Sequence, residues 1–374
     1  MNVTPASRGR VAPALDGGLP DATADVATVH GRTFADAYDR RSNNFDCLRF
    51  CLATLVIWSH CYPLSGREKD WVTRLSGQID GGSLAVDGFF LLSGFLVTQS
   101  WLSYPVLGVF AKKRLLRIVP GLVVAAVFGA IVVGPFAFHG SLAEYFGSPG
   151  PWLHFLGVGL NRFLIIPGTF ETNPLPEMMN APLWSLRYEI LCYGLVALIG
   201  WAAARAWGMA VVATFATCWM IDLADPPLGA VPMALARLGA CFTAGMLFYG
   251  FRDRVPYHPA LAAVATAVLL ATFLTHGFRL AFPVAGGYVL FFLAFTRGLG
   301  VTGFARYGDF SYGLFVLGYP IQQMLVYTLG TEHAPALYFA ATFVPTLALA
   351  AASWHFVEAP ALERKPRPSR AVTS

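Results

Sequence analysis

Charge is scarce in this sequence. Asp, Glu, Lys and Arg make up only 13% of its 374 residues, against roughly 25% in soluble domains, and the shortfall excludes an ordinary soluble globular fold. Short alternating apolar segments of about ten residues are lacking too, which argues against a transmembrane β-barrel. Residues 1–44 contain no apolar core of the kind a cleavable signal peptide needs. The six cysteines show neither disulfide nor metal spacing. Cys47, Cys51, Cys192, Cys218 and Cys241 lie in or beside apolar runs, where cysteine serves as a small hydrophobe. No metal site, bound cofactor, internal repeat, second soluble domain or nucleic-acid partner is expected.

What the chain has in abundance is apolar sequence. Hydrophobic residues make up 56% and mean hydropathy is +0.57, in runs near twenty residues long that are rich in Ala, Leu, Val and Phe. That is the length a helix needs to cross a bilayer, so the expected fold is an all-α, polytopic integral membrane protein with about ten transmembrane helices. The expected spans are 45–62, 83–101, 119–138, 183–204, 207–222, 232–251, 259–276, 282–297, 311–329 and 335–357. Around this 45–360 domain, residues 1–44 read as a disordered cytoplasmic tail and 361–374 as a basic cytoplasmic tail. With the N-terminus inside, 18 Lys and Arg fall on the inner side and 5 on the outer side, and three (Arg49, Arg187, Arg237) lie within spans. By the positive-inside rule both termini face the cytoplasm. The longest outer connection, 139–182, is too irregular for a span and too apolar for a free loop. It is expected to dip into the membrane or pack over the helices, as a plug or as a substrate-facing lid.

Ionisable groups within apolar helices are costly enough to mark candidate sites. In "RFCLATLVIWSH", Arg49 and His60 are eleven residues apart, which at 100° per residue is about 20° past three turns, so both share one helix face about 16 Å apart along the axis. "VDGFFLLSGFL" supplies Asp87 near the outer end of the second span, with Ser93 and Gly94 deeper, where small residues also permit close helix packing. "KKRLLRIVP" places Arg114 and Arg117 three apart on one face, able to grip phosphates, although the positive-inside rule alone accounts for such a cluster. "NAPLWSLRYEILCY" gathers Trp184, Ser185, Arg187 and Glu189 at a helix start. Glu189 and Tyr193 are four apart and share a face, and Glu189 is a plausible partner for His60.

Taken in order, "FDCLRFCLATLVIWSH", "VDGFFLLSGFL", "RLLRIVP", "LWSLRYEILCY", "GDFSYGLFVLGYPIQ" and "FVEAP" cover about residues 45 to 360 and resemble the membrane acyltransferase-3 family. The resemblance implies a bacterial inner-membrane O-acyltransferase. An acyl-CoA co-substrate, most simply acetyl-CoA, would enter from the cytoplasm. The acceptor would be a hydroxyl of a cell-envelope or exported glycan, or of a lipid-linked sugar. It further implies His60 as the essential histidine, Arg49 as its motif partner, Arg114 and Arg117 as donor-side arginines, and Ser93, Gly94, Trp184 and Glu189 as pocket positions. Together with the spans read above, His60 and Glu189 are expected to be catalytic, Arg49, Arg114 and Arg117 to bind the donor, and Asp87, Ser185 and Tyr193 to join the pocket. One departure stands out: the family's late motif has a histidine where this chain has Gly318, unless Tyr319 takes its role.

The chemistry is consistent with this assignment. A thioester acylates a sugar hydroxyl quickly only when a base takes the proton and positive groups stabilise the oxyanion. A buried neutral imidazole suits the first task and a carboxylate such as Glu189 could orient it. Direct transfer and an acyl-histidine intermediate are both open. Two other classes use buried charge or long outer loops: a proton-coupled secondary transporter, and a lipid-linked glycan polymerase or ligase. The first is disfavoured by the absence of paired half-repeats, and the second would not depend on acyl-CoA.

Overall fold

Apolar runs with few charges can satisfy their backbone groups inside a bilayer only as helices or closed barrels. The computed structural model describes residues 31–157 and 164–365. Among these the chain is all-helical apart from three isolated β-bridges.

Helix α1 (Phe34–Ala37) is one turn closed by a capping box between Thr33 and Asp36. Phe34 is fully buried against the rings of Phe248, Tyr257, Tyr288 and Phe295. Asn44 donates to the carbonyls of Leu293 and Thr296. Residues 32–44 therefore pack into the fold rather than forming part of a tail: the polar composition concealed one aromatic anchor and one cap. Residues 1–30 and 366–374 lie outside the described residues.

Helix α2 (Phe45–Leu64) is followed by α3 (Trp71–Ser76), α4 (Gly81–Ser103) and α5 (Leu107–Val127). α5 continues through a π-helical stretch (Phe128–Val133) into α6 (Gly134–Ala137). The outer connection forms α7 (Leu142–Gly147) and α8 (Gly150–Gly157), and a 3-10 turn (Ala181–Ser185) leads into α9 (Leu186–Ala202). Then come α10 (Trp207–Ala224), α11 (Ala230–Gly250), α12 (Pro259–Thr275), α13 (Phe278–Ala281), α14 (Gly287–Phe295), α15 (Ser311–Leu329), α16 (Pro335–Ser353) and α17 (Ala359–Glu363).

Among the described residues, eight helical runs are long and apolar enough to cross a membrane. α12, at 17 residues, is shorter, and α15 carries the polar pair Gln322 and Gln323. Both glutamines are buried and bonded across the bundle, to Ile57 and Cys61 on α2 and to Leu175 and Met178 of the outer connection. With α12 and α15 added, each of the ten expected spans overlaps a helical column, but the third begins at Leu107 rather than 119, so Arg114 and Arg117 lie within α5 instead of before it.

α4 is the centre of the bundle, with 72% of its apolar window buried. It meets α11 through Gly94 and Gly245: a Cβ on Gly94 would stand 1.9 Å from the Phe242 carbonyl oxygen, and one on Gly245 2.1 Å from that of Leu91. Gly94 is thus a packing residue, allowing two backbones to touch, rather than a pocket position. The outer connection folds onto α15, with Asn173 donating to Gln323 and Asn180 to the Val316 carbonyl. It packs over the helices, as one of the two expectations had it, and residues 158–163 within it lie outside the described residues.

Candidate active site

The depth of each side chain follows from the register of α2 against α4. A Cβ on Gly88 would meet Leu52 at 2.9 Å, and one on Gly82 would meet the Ser59 hydroxyl at 3.4 Å. The helices run antiparallel, so His60 lies level with Gly81 and Arg49 lies level with Leu92, one residue from Ser93. Eleven residues of α4 separate those levels, about 16 Å at 1.5 Å per residue. The site has two ends, and α2 connects them.

At the Arg49 end is a cavity of about 110 Å³ lined by Arg49, Arg114, Arg117, Ser93, Glu189 and Tyr193, with Ser185 and Tyr312 among its other walls. Arg49 and Arg117 both bond one oxygen of Asp309, at 2.7 and 2.5 Å. The other oxygen accepts from the Ser311 backbone N–H at 3.2 Å and from its hydroxyl. Burial pushes the Asp309 carboxyl up, but Arg49 and Arg117 outweigh it and hold the group well below the usual carboxylate range. Arg114 differs from the other two. Its guanidinium stands over the rings of Phe110 and Tyr193, reaches the Ser100 hydroxyl at 3.3 Å, and leaves its buried Nε without a partner. Glu189 accepts from the Tyr193 hydroxyl at 2.5 Å and from Ser93 at 3.3 Å.

Three groups at this end were not picked out from the sequence as site residues. Asp309 lies in "GDFSYG" and Glu358 in "FVEAP", two segments whose acids were in view without partners. Glu358 is buried, accepts from Ser353 at 2.7 Å and keeps one oxygen unpaired. Its carboxyl carbon lies within 3.2 Å of where a Cβ on Gly121 would be. Lys365 follows α17, which packs on α5. Burial and the nearby charges of Arg117, Arg114, Lys113 and Arg49 bring its amine down to about 8.

At the other end, His60 Nδ1 lies 2.8 Å from the Val56 carbonyl. A carbonyl only accepts, so Nδ1 carries the hydrogen and the neutral ring presents its lone pair at Nε2. The ring stands edge-on to Tyr319, centroids 5.4 Å apart at 90°. The acids whose fields act on His60 are Asp80 and Asp70. Asp70 caps α3 and accepts from Thr73, from Ser59 at 2.7 Å and from the Gly81 N–H at 2.7 Å. Burial would raise its carboxyl, but these donors together hold it below its ordinary value.

The sequence expectations divide accordingly. The structure gathers Arg49, Arg114, Arg117, Ser93, Ser185, Glu189 and Tyr193 around one cavity. It does not bring Glu189 to His60, because Glu189 is bonded to Ser93, at the opposite depth. Asp87 is not in the cavity: it is buried with Arg237, Nε to Oδ1 2.9 Å, beside a second pair, Asp222 with Arg279. Trp184 packs on Tyr188, centroids 5.7 Å apart, and does not line the cavity. At Gly318 a Cβ would stand 2.9 Å from Ile57, so the space a larger side chain would need is filled by α2.

The bundle thus holds a cation-lined cavity at one depth and a histidine with a fixed tautomer at another. A profile of the acyltransferase-3 family, described as an acyltransferase domain, matches residues 42–355, and the chain belongs to that family. It is similar to the "O-acetyl transferase" of Shigella phage Sf6, 25% identical over 327 residues, covering 85% of this chain and 95% of that protein. A stretch of 89 residues is 40% identical to "Nodulation protein 10" of Rhizobium leguminosarum bv. viciae, covering 22% of each. No solved structure matches. The family and the phage relative bear out the enzyme class expected from the sequence, an O-acetyltransferase.

Proposed function

We propose that this enzyme moves an acyl group, acetyl in the first instance, from acyl-CoA arriving at the Arg114 end to a glycan hydroxyl that meets it at His60. The observation that carries the reading is the placement of the arginine-lined cavity and His60 at the two ends of α2, about 16 Å apart by helix rise. The anionic part of the donor is held among Arg114 and its neighbours while the acyl arm extends along α2. At His60, Nε2 takes the acceptor hydroxyl proton as the oxygen attacks the thioester carbonyl. The carbon–sulfur bond breaks, and the thiolate leaves with the proton returned by the imidazolium. The excess of Lys and Arg on the Arg114 side supports a donor from the cytoplasm of a bacterial inner membrane with both termini inside. The phage relative's name supports acetyl transfer to oxygen.

The test is O-acetyl content, measured by NMR on host envelope polysaccharide, after incubation with acetyl-CoA and the reconstituted protein. His60→Ala should abolish it while the protein remains membrane-bound. Normal acetylation by that variant rejects the reading.

A further inference from the structure

Tyr319 is 1% exposed and its hydroxyl has no hydrogen-bond partner. No other tyrosine hydroxyl among the described residues is both buried and unpaired. Tyr145, Tyr193, Tyr312 and Tyr338 each donate to a named oxygen. A buried hydroxyl left unsatisfied costs stability, so one that persists calls for a reason.

Its position supplies one. Gly318 and Gln322 contact residues 57 to 61 of α2, which sets the intervening turn of α15 against the His60 stretch, and the Tyr319 ring stands edge-on to the imidazole. One turn along the same face, Gln322 uses its NH₂ on the Ile57 carbonyl and the Cys61 sulfur, and its carbonyl oxygen is also buried without a partner. The turn of α15 that packs on the His60 stretch therefore carries one open donor, on the tyrosine whose ring meets the imidazole, and one open acceptor, on the glutamine that bonds Ile57 and Cys61.

We propose that the Tyr319 hydroxyl is a catalytic group that donates a hydrogen bond to the carbonyl oxygen of the acyl group as His60 takes the acceptor's proton. This inference rests on the reading of His60 as the base. In the step, the acceptor O–H proton goes to His60 Nε2, the oxygen–carbon bond forms and negative charge collects on the carbonyl oxygen. Tyr319 keeps its own proton and stabilises that charge. When the carbon–sulfur bond breaks, the charge returns to the carbonyl and the hydrogen bond weakens. Arg49 cannot serve here, since it lies about 16 Å away by helix rise and is bonded to Asp309, and Arg114 and Arg117 line the same cavity as Arg49.

The experiment compares Tyr319→Phe, Tyr338→Phe and His60→Ala in the reconstituted full chain, with acetyl-CoA as donor and host envelope polysaccharide as acceptor. It reads kcat, the KM for acetyl-CoA and the thermal midpoint in detergent. Tyr319→Phe removes an unpaired hydroxyl, so the midpoint should hold or rise, while kcat falls by about 10²-fold, the scale of losing one oxyanion donor, with KM changed less than threefold. Tyr338→Phe removes a made bond to Gly330 and should lower the midpoint and leave kcat alone. Full kcat in Tyr319→Phe, or a kcat loss matched by a fallen midpoint, overturns the proposal. If His60→Ala is inactive while Tyr319→Phe is fully active, only the tyrosine fails; activity in His60→Ala removes both readings.

Discussion

Arg49 on α2 donates to Asp309 at the foot of α15 over 2.7 Å, and Arg117 on α5 closes on the same oxygen. One carboxylate therefore ties three elements at the depth of the cavity. Removing its charge leaves two mostly buried guanidinium groups uncompensated, and breaking a buried pair from one side costs about 3–5 kcal/mol. Asp309→Asn should fall near the low end of that range, because both arginines retain some exposure. Thermal or denaturant unfolding in detergent checks it, and an unchanged midpoint would show that Asp309 holds nothing together.

On the proposed reading, the same pairing ranks the arginines as ligands of acyl-CoA. Arg49 and Arg117 are engaged, whereas Arg114 has no carboxylate partner among the described residues and keeps a buried N–H open. A hydrogen bond to a charged group is worth about 1.5–3 kcal/mol, so Arg114→Ala should raise the Kd of acetyl-CoA by about tenfold or more. Arg49→Ala should act more on stability than on that Kd. Equilibrium binding of radiolabelled acetyl-CoA separates them, and the ranking fails if Arg49→Ala weakens binding as much as Arg114→Ala.

Much of the fold was legible because a twenty-residue apolar run has one outcome in a bilayer, and the Arg49 to His60 spacing fixed a shared helix face without any tertiary information. The register between helices was not legible. Glu189 is expected near His60 because the sequence puts both in the outer half of the membrane, and only the contacts of Leu52 with Gly88 and of Ser93 with Glu189 reveal that they lie at opposite depths. Asp309, Glu358 and Lys365 join Arg117 across some 190 to 250 residues of chain, a distance no local pattern spans. Phe34 was hidden for the opposite reason: one buried ring in a polar stretch carries no periodic signal.

Lys365 supplies a pH dependence. Its amine sits at about 8 instead of 10.5, through burial and then the neighbouring cations. The unfolded chain thus holds more protons between those values, and this group makes stability rise with pH from about 8 toward 10.5. An anionic donor acts in the other direction, since it favours the ammonium form, so donor affinity should decline as pH rises through about 8. A single partly exposed charge contact is worth up to about 1 kcal/mol. The KM for acetyl-CoA should therefore rise roughly two- to fivefold from pH 7 to 9 in the native enzyme and stay flat in Lys365→Met. Parallel profiles for the two proteins would place Lys365 outside the donor site.

Asp87 and Arg237 test whether the second charge network is structural. Asp87 is 1% exposed and bonded to Arg237, which also donates to the Ser83 carbonyl at 3.1 Å. The pair lies between α4 and α11 and outside the cavity, so its task is to hold helix register rather than to bind substrate. Asp87→Asn alone strands a buried guanidinium and should cost about 3–5 kcal/mol, whereas replacing both partners by neutral residues of similar size should recover most of that. A double-mutant cycle on Asp87→Asn and Arg237→Gln should then give a coupling of about 2 kcal/mol or more, within the range seen for residues in one network. The KM for acetyl-CoA should hold in each variant that folds. Additive losses would mean that the two side chains act independently, and a selective rise in that KM would return Asp87 to the pocket.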